Sequence, residues 1–267
     1  MDKQTTHLYE QWLSNATRRG VPNEEIARIQ RDHGITVVDF AVLCHMSVLT
    51  DPVGKAYFLL PGEISGEDAK KAVLMTYVLN AGTDYGNADI ADNPCDRSPT
   101  KDDYEETPYS SAEISRIIRR QAHNGWSYAQ DVGFVHGNGA RLATTPNGML
   151  MGIGGNRLVR LFEMMGGTTW GDIFLLNIGR PDDPVSVLKK VVGSGSAPIT
   201  GDPTGQTRNW LALDRLLHHE EIHAQQWASQ GHARFALSYV RQAIIHRGNG
   251  KDIPIEQQAG LADGGYV

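Results

Sequence analysis

Apolar positions recur at helical spacing through the first eighty residues. Leu8, Trp12, Leu13 and Ala16 share one face of a segment that stops at Gly20. Pro22 opens a second helix, with Glu24 and Glu25 near its positive end, Ile26 and Ile29 inward, and Gly34 placed as a C-terminal cap. Residues 35–49 are apolar and β-branched at their start, a pattern that fits a strand and a buried helix equally well. Residues 56–60 predict a short strand, and Ser65, three before Asp68, caps a helix over 69–80. Residues 83–109 form a long, acidic, proline-containing connection. Ser110 and Glu113 make a capping box for a helix over 112–123, with Arg116, Arg119 and Arg120 on its wet side.

The pattern then shortens. Residues 132–139, 141–145 and 149–153 predict strands joined by glycine turns, followed by a helix over 156–165. Residues 168–177 form the strongest strand candidate in the chain. Residues 182–206 predict a loop around one short element at 185–192, and from 209 onward the period is again mainly helical. The expected fold class is α+β, mostly helical with a small mixed or antiparallel sheet. It is expected as a single domain over 1–267, with an N-terminal helical part (about 1–108) and a second part (about 109–267).

Composition narrows the partners. The 267 residues carry 25 Lys and Arg against 31 Asp and Glu, a formal charge of −6, and no basic tract, so no nucleic-acid partner is expected. The apolar, charge-free stretches are short or broken by Pro and Gly, so no membrane partner is expected. The N-terminus has no apolar leader, and Cys44 and Cys95 have no near partner; both point to a cytoplasmic protein with reduced thiols.

Candidate chemistry concentrates at His219-Glu220-Glu221-Ile222-His223, an HExxH. Four residues apart on a helix, both imidazoles reach one Zn²⁺, and Glu220 beside them can take a proton from water. Leu213, Leu216, Leu217, Ala224 and Trp227 fall on one apolar arc that also contains Glu220 and His223, with His219 at its edge. Inward polar groups on such a face are costly unless a metal or hydrogen bonds satisfy them. A catalytic zinc takes three protein ligands. Ser229 stands where a third histidine six residues after His223 would be needed, and His232 is a poor fit to that spacing. A distal carboxylate fits better: Glu256, just after Pro254 at a helix start and before the small Ala259. A surface carboxylate favoured by the helix dipole is the plain alternative for Glu256.

These residues resemble the HExxH-plus-distal-Glu (gluzincin-type) zinc metallopeptidases, and in particular short bacterial domains with an HExxHxxQ helix and a later P-x-E-x-x-A helix. Here those elements are His219, Glu220, His223 and Gln226, then Pro254, Glu256 and Ala259. A T-x-G element, Thr169-Trp170-Gly171, leads into Asp172. The resemblance covers residues 166–259 and implies a zincin-like C-terminal half. It also implies a peptide or protein substrate aligned by strand addition to the upstream edge strand. Trp170, Gly171, Asp172, His232 and Tyr239 are the candidate substrate contacts. Departures are the bulky Ile222 before the second histidine and an insertion at 178–208 long enough to cover the cleft. These departures leave a metallopeptidase-like binding module, with zinc structural or absent, as the rival reading.

Overall fold

The computed structural model describes residues 2–82, 109–155, 167–179, 181–200, 208–246 and 249–266. Two helices, α1 (Lys3–Arg18) and α2 (Asn23–His33), open the chain, and Gly34 closes α2 in the left-handed conformation. The ambiguous stretch resolves as a 3₁₀ turn over Val37–Leu43 and then strand β1 (Ser47–Thr50). Thr36 and Asp39 cap the 3₁₀ turn reciprocally, a local device that settles helix over strand there. Strand β2 (Ala56–Leu59) pairs with β1, and helix α3 (Gly66–Leu79) starts where the Ser65 hydroxyl accepts from the Asp68 N–H at 3.1 Å. Helix α4 (Ser111–His123) begins at Ser110, whose hydroxyl accepts from the Glu113 N–H. The connection expected over 83–109 lies almost wholly outside the described residues, as does the helix expected over 156–165.

Several expectations are corrected. Residues 127–131 form a π turn that runs into helix α5 (Val132–Gly137), where a strand was expected. Val132, Val135 and His136 are its buried positions, a helical spacing that the flanking glycines obscured. The single strand over 168–177 is instead a hairpin of β5 (Gly167–Trp170) and β6 (Ile173–Leu176). Gly171 breaks it by adopting φ +63°, against Ser127, whose Cβ lies 2.7 Å from where a side chain would begin. Within residues 182–206 the short element expected at 185–192 is helix α6 (Pro184–Ser194), started by Asp183 accepting from the Ser186 N–H and by Pro184, but strand β7 (Ser196–Thr200) follows where only loop was expected. Arg120, expected on the wet side of α4, is buried.

With β3 (Ala140–Thr144) and β4 (Leu150–Gly154), the main sheet has the order β1-β2-β3-β4-β6-β5. All its pairs are antiparallel except β4 with β6. Side chains alternate strictly across it. Leu150, Ile173 and Leu175 join a core with α1 to α5, whereas Met151, Ile153, Phe174 and Leu176 join one with α6 and helix α7 (Leu213–Gln230). Both faces of β4 and β6 are thus covered, which is why they read as unbroken apolar runs. The fold is α+β. Strand β8 (Arg208–Ala212) pairs with β7 in a small second sheet and leads directly into α7. Helices α8 (His232–Ile245) and α9 (Pro254–Ala259) complete the described chain, with Pro254 in the first turn of α9. No helix among the described residues is long and apolar enough to cross a membrane.

Candidate metal centre

Helix α7 runs past β5 and carries the HExxH motif where one face meets a cavity of about 160 Å³. His219, Glu220, His223, Trp227 and Glu256 line it together with all of β5 and with Phe235, Tyr239 and Val240 of α8. Glu256 arrives from the first turn of α9, which packs against α7 and whose Ala259 is buried.

Three acceptor atoms converge here. The Nε2 atoms of His219 and His223 are 3.1 Å apart, and Glu256 Oε2 lies 3.2 Å from the second and 3.4 Å from the first. A tetrahedral zinc with ligand distances near 2.0–2.1 Å spaces its ligands by about 3.3–3.4 Å, so this triangle has the size of one face of that tetrahedron. The rest of each side chain is already committed. His219 Nδ1 donates to the Gly260 carbonyl at 2.8 Å, and His223 Nδ1 donates to Gln226 Oε1 at 2.8 Å. Gln226 in turn donates to the Ile255 carbonyl and to Gln258, tying α7 to α9. Such bonds orient imidazoles so that their Nε2 lone pairs face a common ion. The donor set fits a divalent cation, with His219, His223 and Glu256 as its holders.

Without an ion, the three atoms can stay this close only by sharing protons. Burial disfavours a charged His219, but the Glu256 carboxylate and the nearby Glu220 prevail and push its pKa up to about 9. Burial likewise works against the Glu256 charge, yet the hydrogen bonds from His219 and His223 hold its carboxyl below the usual range. Glu220 lies beside this triangle rather than in it. Burial raises its pKa, partly offset by the two histidines and by the Thr169 hydroxyl, which donates to Oε2 at 2.7 Å. Burial, reinforced by the Glu256 charge, raises both Tyr239 and Tyr266, so both phenols stay protonated donors at the cavity wall.

Of the expected substrate contacts, Trp170 and Tyr239 line the cavity and the other three do not. Asp172 is fully buried behind β5, accepting from Arg120 at 3.2 Å, Asn124 at 2.7 Å and Tyr128 at 2.9 Å. Gly171 forms the turn against Ser127. His232 stacks on Trp227 and packs at a tilt on Trp126, with ring centroids 5.7 and 4.4 Å away. A strand turn and a buried anion look alike in sequence whether they serve a substrate or a scaffold. Ile222 is absent from the cavity wall; of the insertion at 178–208, α6 packs on the sheet through Leu188, Val191 and Val192 and lines no part of the cavity, while residues 180 and 201–207 lie outside the described residues.

Other contributors carry no motif. Gly264 leaves room for His219, whose Cε1 would lie 2.5 Å from a Cβ there. Asp263, fully buried, accepts from Arg215 Nε at 2.6 Å and pins the last turn to α7. The Trp227 indole donates to the Thr169 carbonyl at 2.8 Å, fixing β5 to the same helix. Only the glycines at 260, 264 and 265, on either side of Asp263, hint at this in the sequence.

No protein-family model, curated protein or solved structure matches the chain.

Proposed function

We propose that the protein is a zinc-dependent hydrolase of peptide bonds. The observation that carries this reading is the triangle of His219, His223 and Glu256 acceptors with an independent, buried carboxylate, Glu220, at its side. A divalent ion held by the three supplies a Lewis acid for the scissile carbonyl and a nucleophile available at neutral pH.

The chain's own groups supply the rest. Glu220, its pKa raised by burial, accepts the proton of the attacking water and passes it to the leaving amine. The Thr169 hydroxyl keeps Glu220 in one rotamer and moderates that rise. Tyr239 and Tyr266, kept protonated, supply hydrogen-bond donors for the negative charge that develops on the carbonyl oxygen. Strand β5 supplies the wall along which an extended peptide lies, and Trp170, Trp227 and Phe235 give that wall an apolar surface.

The test pairs metal analysis with cleavage of a mixed peptide library. Native protein should hold close to one equivalent of zinc, and His223→Ala should lose it. Glu220→Gln should keep the metal and lose cleavage. Unchanged turnover in Glu220→Gln would defeat the base assignment, and zinc without cleavage in the native protein would support a binding module with a structural ion.

A further inference from the structure

We propose that α8 is a membrane-surface helix, which docks the mouth of the cavity on an anionic lipid bilayer. The inference concerns where the protein works and does not rest on hydrolysis.

Large exposed apolar side chains elsewhere are scattered singly: Val38, Val48, Val53 and Phe134 each lie on a different element or loop. Isolated exposures of that kind are ordinary. Helix α8 differs. Leu237, Val240, Ile244 and Ile245 are 71%, 54%, 71% and 60% exposed, and their spacing of i, i+3, i+7 and i+8 puts them on one stripe. The opposite side of the helix holds buried Phe235 and half-buried Tyr239, packed with Trp227 and Trp170. The stripe is therefore surplus to the core. It is also continuous with the site, because Val240 belongs both to the stripe and to the cavity wall.

Charge selects the occupant. Residues 222–251 contain no Asp or Glu, in a chain whose formal charge is −6, but they contain Arg234, Arg241, Arg247 and Lys251. Arg234 and Arg241 fall within the arc of the stripe at 3.6 residues per turn, and both are exposed. Neither meets an acidic partner among the described residues. A second copy of the same face would set these guanidiniums against their own kind with nothing to neutralise them. An anionic lipid surface accepts both features at once, aliphatic side chains among the acyl chains and arginines at the headgroups. The absence of a spanning helix among the described residues agrees with a helix that lies in the interface.

The test is co-flotation of the intact protein with vesicles of phosphatidylcholine alone or with one-third phosphatidylglycerol. Binding to the anionic vesicles, weak binding to the neutral ones and loss in raised salt are expected. Leu237→Ser/Ile244→Ser, two solvent-facing changes, should weaken binding at least about tenfold. Arg234→Gln/Arg241→Gln should weaken it by roughly five-fold per charge removed. Circular dichroism of both variants would confirm that they fold as the parent does. Failure of the parent to float with anionic vesicles overturns the proposal. So does equal flotation of the serine variant. A concentration-dependent dimer that the serine variant abolishes and vesicles leave intact would assign the stripe to a second copy instead.

Discussion

Glu220 and Glu221 are adjacent on one helix, both buried, and they face two different regions. Glu221 points toward α4, where Arg116 and Arg120 both donate to its Oε1 and Gln225 adds a third bond at 3.3 Å. Arg120 also holds Asp172 and the Gly148 carbonyl, so that every major charge there meets its opposite. Glu220 points to the cavity, where the nearest groups are acceptors outnumbering their protons and a single hydroxyl donates to it. Burial of charge is common to both regions, so burial does not identify a site. The partners do: the scaffold sets its carboxylates against guanidiniums, whereas the cavity brings acceptor atoms together with no Lys or Arg among its lining residues.

The sharpest way to break this contrast is to neutralise each acid. Glu220→Gln should lower cleavage by roughly a thousandfold while leaving the melting temperature and metal content near those of the parent. Glu221→Ala should do the reverse. Removing one partner from a buried ion pair costs about 3–5 kcal/mol, and the lower end applies here because Arg120 keeps Asp172 and Arg116 is partly exposed. Denaturant unfolding reads that loss, and activity per folded molecule should survive. If Glu221→Ala abolished activity without loss of stability, the division between scaffold and site would fail.

A smaller effect is expected one bond away from the proposed metal site. Gln226→Ala frees the Nδ1 of His223 and cuts a tie to α9, so zinc affinity should fall about 10- to 100-fold in a competition assay against a chelator. Proton linkage gives a change of similar size. Because His219 in the metal-free protein is pushed up to about 9, binding near pH 7 must displace a proton. Apparent affinity should therefore climb by up to tenfold per pH unit until about pH 9, and calorimetry in buffers of different ionisation enthalpy should count about one proton released per ion. The same raised pKa stabilises the metal-free fold fully below the unfolded value of about 6.5, and this contribution is lost as pH rises through about 9. The smallest expected effect is that of Thr169→Val, which removes the hydroxyl that lowers the Glu220 pKa. The acid limb of kcat/KM should move to higher pH, with metal content unchanged.

Legibility in the sequence followed the range of the interaction. The HExxH arc, Pro254 at the start of α9 and the caps at Ser65, Ser110 and Gly34 depend on spacing within a turn or two, and each sits where its pattern predicts. Asp172, Gly171 and Arg120 were misplaced because their partners lie tens of residues away. An arginine on a helix face reads as solvated until an Asp172 and a Glu221 are brought against it. Helix α5 was hidden by glycines that suit turns, though its buried positions kept a helical period.

What the sequence determined by itself was local: the two imidazoles on one helical face, the Glu220 carboxylate between them, and the apolar arc that turns all three inward, since 3.6 residues per turn leaves no other arrangement. Tertiary structure alone decided that Glu256, separated from His223 by more than thirty residues, completes the triangle. It decided also that Thr169 reaches Glu220 and that Gly264 yields its space to His219. Those contacts span separate elements, and their geometry is set by how α7, α9 and β5 pack, a property that no local pattern encodes.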